Sequence, residues 1–148
     1  MNVGEKWKRR RTANLYFGLA TGALGVCAGL IYSLGFGAHR PEYFDAAAVV
    51  LPIVGLGLYL GLVSMDLTAR FAGVALWGCV FGAFILYVKA AYMHLAEVFY
   101  SGINMDTLKL MDPGFMICTL LYMICAILAN VVMWKKMDKD KIGGEDHE

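Results

Sequence analysis

Hydrophobic residues in this chain come in four long blocks separated by short polar stretches. Blocks 14–35, 46–65, 71–88 and 115–134 are apolar on almost every side, without the polar outer face that a water-facing bundle helix needs. About 20 helical residues cross a ~30 Å hydrocarbon core, and each block meets or approaches that length. The pattern predicts an all-α fold, a four-helix transmembrane bundle. It divides the chain into a basic segment at 1–13, a four-span domain at 14–134 and a charged tail at 135–148, with spans at about 14–35, 46–65, 71–93 and 113–134.

Within the first block, Gly18, Gly22, Gly25, Gly29 and Ser33 are spaced four, three, four and four, which keeps them on one helical face. In lipid no hydrophobic effect draws helices together, so association depends on close van der Waals contact, and small residues let two backbones approach. The stripe therefore reads as a packing face. Similar stripes are expected at Gly57, Gly61 and Ser64, at Ala75, Gly78 and Gly82, and at Cys118, Cys125 and Ala129. Packing inside one bundle accounts for them more simply than a dimer interface.

The block ends carry helix signals. Asp45 precedes three alanines and suits an N-cap; Asp112 does the same with Pro113 in the first turn. Pro52 falls inside the second helix, removes the N–H that would reach the carbonyl of Ala48, and predicts a kink. Beyond the third block the sequence stays helix-compatible to about Tyr100, then turns at Ser101 and Gly102. A helix over 71–100 would reach about 45 Å, so it either projects past the hydrocarbon or folds back along its surface.

Charge sets the orientation. Lys6, Lys8, Arg9, Arg10, Arg11, Arg70, Lys135, Lys136, Lys139 and Lys141 fall on one side of a four-span topology, and Arg40, Lys89 and Lys109 on the other. Ten against three places both termini in the cytoplasm of a multi-pass cell-membrane protein. A cleaved leader ending near Gly35 or Gly37 is the alternative, but the apolar run is longer than a signal core. Of 148 residues, 59% are hydrophobic and 17% charged, which sets the chain apart from an ordinary soluble domain. The mixed-charge tail suits disorder. All four cysteines, Cys27, Cys79, Cys118 and Cys125, lie inside the blocks without a C-x-x-C, as small packing residues do.

Candidate chemistry is sparse. The central parts of the spans carry no charge, which argues against a proton- or ion-coupled transporter. Lys89 comes at the outer boundary, with Glu97 two turns further on. Thr21, Thr119, Asn130, Tyr59 and Tyr122 are the expected polar centre. The sharpest constellation is a pair of short motifs, HRPE at 39–42 and HLAE at 94–97, whose His39, Glu42, His94 and Glu97 are candidate metal ligands. The simpler reading leaves both histidines on the surface, so that replacing them together spares the fold. No hydrolase, phosphate-binding, zinc-protease, zinc-finger or dinucleotide motif occurs, and nothing calls for a cofactor or nucleic acid.

The four-span plan and the stretch LAEVFYSGINM at 95–105 resemble small, uncharacterised four-span membrane proteins of Gram-positive bacteria. The resemblance implies a bacterial cytoplasmic membrane and no particular activity. The residues themselves favour a non-enzymatic protein that acts by helix packing, as a small subunit or accessory of a membrane complex, partnered by the bilayer and by another membrane protein or itself. The alternative is a small homo-oligomeric channel or transporter, with Pro52 and the tyrosines along its path.

Overall fold

Four helices, α1 (Val3–Tyr32), α2 (Ala46–Ser64), α3 (Ala72–Tyr100) and α4 (Pro113–Trp134), carry the fold of the computed structural model. It describes residues 3–39, 41–65, 68–100 and 113–134, with side chains from Thr12 onward apart from Phe36. The expected cap at Asp112, the turn at Ser101 and Gly102, Arg40, Lys109, the tail at 135–148 and the side chains of the first eleven residues lie outside what is described.

α1 starts well before the apolar block and runs on through a π-helical turn, Ser33–Gly37, to His39. A short 3₁₀ turn, Pro41–Tyr43, then leads to Asp45, whose Oδ1 accepts the Ala47 N–H at 2.9 Å and caps α2. α2 carries through Pro52 to Ser64 without interruption. The 3₁₀ turn Ala69–Phe71 opens α3, which remains helical for 29 residues. At 1.5 Å per residue that is about 43 Å, so α3 continues straight past the length a bilayer needs rather than folding back.

Each helix packs on its neighbours in sequence and α4 closes against α1, leaving α1 opposite α3 and α2 opposite α4. The α1–α2 seam is antiparallel. A Cβ on Gly18 would overlap the Tyr59 ring, one on Gly22 would come 2.6 Å from Leu56 Cδ1, one on Gly25 3.4 Å from Pro52 Cβ, and one on Gly29 3.4 Å from Val49 Cα. All four glycines of this stripe are buried. The opening between them is filled by α2, a direct contact of small residues with large ones.

The other stripes divide differently. Gly57, Gly61 and Gly78 are exposed, and a Cβ on any of them meets nothing within 4 Å. They do not pack inside the bundle. Gly82 is half-buried, 3.5 Å from Leu51 Cδ1. The close approaches fall instead at Gly55, whose added Cβ would lie 2.6 Å from Cys79 Cβ, and at Gly73, 2.9 Å from the Val132 carbonyl. The buried face of α2 is Ala48, Pro52, Gly55, Tyr59 and Val63, about half a turn round from the expected row. On α4, Cys118, Cys125 and Ala129 are buried as the spacing suggests.

The outward faces are apolar on every helix: Leu30, Ile53, Leu58, Val74, Ile85, Leu120 and Ile127 all stand exposed. Thr12–Gly35, Ala46–Ser64, Ala69–Tyr100 and Pro113–Trp134 are each long and apolar enough to cross a membrane. Core and outer surface are thus both hydrophobic, the arrangement of a multi-pass membrane protein.

Candidate functional site

Pro52 leaves the carbonyl of Ala48 without an intrahelical donor, deep inside the bundle, where a bare acceptor costs free energy. The structure answers from the opposite helix. Tyr122 on α4 reaches across the bundle, and its Oη donates to Ala48 O at 3.0 Å. Both residues are wholly buried.

Tyr122 belongs to a group of rings that fills the half of the bundle near the α1–α2 connection. Its ring stacks on Tyr87 (4.8 Å between centroids, 22°), and Tyr32 meets both edge-on, at 5.2 Å from Tyr87 and 6.3 Å from Tyr122. Every hydroxyl is satisfied by backbone or a neighbour. Tyr32 Oη donates to Tyr43 O at 2.7 Å and accepts the Asp45 N–H at 3.0 Å, tying the end of α1 to the start of α2. Tyr87 Oη lies 2.7 Å from Thr119 Oγ1 and 3.1 Å from Phe115 O, and Thr119 Oγ1 lies 2.9 Å from the same carbonyl. At the other end of the bundle, Tyr59 Oη reaches Asn14 O and Leu15 O at 3.2 and 3.4 Å, over the gap left by Gly18. These tyrosines are cross-braces, and their rings occupy the axis.

The expected polar centre is therefore partly right and partly moved. Tyr59, Tyr122 and Thr21 are buried, Thr21 bonding its own helix at Phe17 O (2.8 Å), and half-buried Thr119 serves Tyr87. Asn130 is exposed, outside the centre. Sequence reasoning missed Tyr32 and Tyr87. Tyr32 continues the Gly25–Gly29 stripe by one step, and Tyr87 lies on the row Leu76, Val80, Ala83 that spaces the buried face of α3; either continuation could have found them.

The four candidate metal ligands separate. His39 is exposed on the last turn of α1, with Nδ1 3.1 Å from Gly35 O. His94 is 3% exposed, its ring 5.7 Å from those of Tyr43 and Phe115. It is a core residue, not a surface one: it follows the row of Ala83, Tyr87 and Ala91, and Glu97, about 60° further round, falls outside that face. Among the described residues, no three His, Cys, Asp or Glu side chains gather as a metal site.

Glu42 and Glu97 do meet elsewhere. They line an open cleft of about 670 Å³ between the α1–α2 connection and α3, together with Phe44, Lys89 and Met93. Asp45 also borders it, with its carboxylate engaged as the α2 cap. The cleft holds charges of both signs. No protein-family model matches this chain, and no similar curated protein or solved structure was found.

Proposed function

We propose that this chain is a non-enzymatic, multi-pass protein of the cell membrane, with both termini in the cytoplasm, that works by helix association as a small subunit or accessory of a membrane complex. The observation that supports this reading is the row Gly57, Gly61 and Ser64 on α2, which is exposed and unused by the bundle. Glycine lowers helix propensity by about 1 kcal/mol relative to alanine. Such a row gives another helix a place for close backbone contact. Tyr32, Tyr59, Tyr87 and Tyr122 weigh against a channel whose path they line, because a path along this bundle's axis would have to displace their rings.

Native mass spectrometry on the protein extracted gently from its own membrane tests the reading. The expected result is co-purification with other polypeptides, reduced by Gly57→Leu combined with Gly61→Leu. A homo-oligomer that confers solute flux in proteoliposomes overturns it in favour of the channel.

A further inference from the structure

We propose that the cleft between α3 and the α1–α2 connection binds the head group of an aminophospholipid, with Lys89 on the phosphate and Glu42 and Glu97 on the primary ammonium. The proposal rests on the transbilayer placement of the four helices and not on the subunit reading.

Depth is the first argument. Lys89 stands 17 positions beyond Ala72, the first residue of α3, about 26 Å along a helix axis. That is close to the ~30 Å of the hydrocarbon core, so Lys89 sits at its edge and the rest of the cleft at head-group depth. α2 begins beside it at Ala46, the first residue of its apolar run.

Order along the helix is the second. Lys89, Met93 and Glu97 are spaced four and four, so they climb α3 in order with a drift of about 40° per step. Across the eight residues from Lys89 to Glu97 the axis rises about 12 Å, cation inward and carboxylate outward. A phospholipid presents its phosphate nearer the hydrocarbon and its amine nearer the water. The two sequences of charge are complementary.

Charge balance is the third. The cleft carries one ammonium and three carboxylates, one of which, Asp45, holds the helix cap through Oδ1. An anionic head group would satisfy Lys89 and face three acids. A quaternary ammonium would neutralise the acids but has no N–H to donate to them. A primary ammonium provides three donors for carboxylate oxygens, and charge-assisted bonds of this kind are the stronger ones. Phe44 and Met93 supply apolar surface for the two carbons that join the phosphate to the amine.

The test is a titration of the purified full-length chain, in mild detergent, with phosphatidylethanolamine, phosphatidylcholine and phosphatidylglycerol of matched acyl chains, read by native mass spectrometry. Retention of phosphatidylethanolamine should exceed the other two by about three- to tenfold, as expected for two exposed charge pairs. Glu42→Gln with Glu97→Gln should reduce it to the phosphatidylcholine level, and Lys89→Gln should weaken both zwitterionic lipids together. Ala90→Trp, which fills the cleft without changing its charge, should lower phosphatidylethanolamine retention as well. Equal or tighter binding of phosphatidylglycerol overturns the proposal, and so does a preference for phosphatidylethanolamine that survives the double glutamine variant. Displacement of the lipid by an equal concentration of glycerophosphoethanolamine also overturns it, because the ligand would then be a soluble phosphate ester.

Discussion

Replacing Tyr122 with Phe removes one oxygen and keeps the ring, so its stacking on Tyr87 at 4.8 Å survives while the donor to Ala48 O is lost. The carbonyl is left in a dry interior with no N–H at Pro52 to take it back. Hydrogen bonds between membrane helices average about 0.6 kcal/mol and reach about 1.7, while an unsatisfied buried acceptor costs about 1–3 kcal/mol. Here the second situation applies, and Tyr122→Phe should cost about 1–2 kcal/mol, roughly a five- to thirtyfold shift in the unfolding equilibrium. The same substitution in a Pro52→Ala background should cost less than about 0.5 kcal/mol, because the alanine introduced there supplies the ordinary helical N–H to Ala48. A double-mutant cycle of the four proteins, unfolded by SDS and followed by far-UV circular dichroism, measures the difference; losses from Pro52→Ala itself cancel in the cycle. A Tyr122→Phe cost equal in both backgrounds would refute the assignment of this hydroxyl to the carbonyl that proline frees.

The glycines give a contrast. Gly18→Ala drives a Cβ into the Tyr59 ring and should lower the SDS midpoint by an amount equivalent to about 1–3 kcal/mol, with partial rescue by Tyr59→Leu. Gly57→Ala and Gly61→Ala meet nothing within 4 Å and should leave that midpoint unchanged or raise it, while weakening any co-purifying partner; a marked loss of stability would contradict their outward placement. His94→Ala empties a core site and should destabilise by about 2–4 kcal/mol, whereas His39→Ala should be neutral in the same titration. Among the thiols, Cys27 is exposed while Cys118 and Cys125 are buried, so a small apolar thiol reagent in mild detergent should label Cys27 first and the other two after SDS unfolding, as mass spectrometry of the peptides would show.

Much of this architecture can be read from the chain because lipid imposes a simple rule on long apolar helices. The four spans, the Asp45 cap and the first glycine stripe follow from length, local hydrogen bonding and one helical period. The later stripes do not. In α2 and α3 small residues occur all round the helix, so spacing alone cannot say which row faces inward. Gly55 rather than Gly57 packs because it lies on the row of Pro52 and Tyr59, a choice made by the partners on α1 and α3. The site was harder still. His94 and Glu97 look like one motif in sequence, yet a 60° difference at the edge of a buried face sends one into the core and the other to the cleft. The meeting of Glu97 with Glu42 and Lys89 depends on how the α1–α2 connection lies against α3, which no local pattern encodes.

The bond from Tyr122 to Ala48 also has a meaning in time. Seventy-four positions separate the two residues, and ribosomes add about 5–20 residues per second, so α2 waits about 4 to 15 s for its missing donor to be synthesised. During that interval the first three helices can be in the bilayer, but one carbonyl of the second is still unanswered. The arrival of α4 thus does more than complete a count of four. It converts three provisional helices into a sealed bundle, and a chain interrupted before residue 122 would carry its own mark of incompleteness one turn before the proline of its second helix.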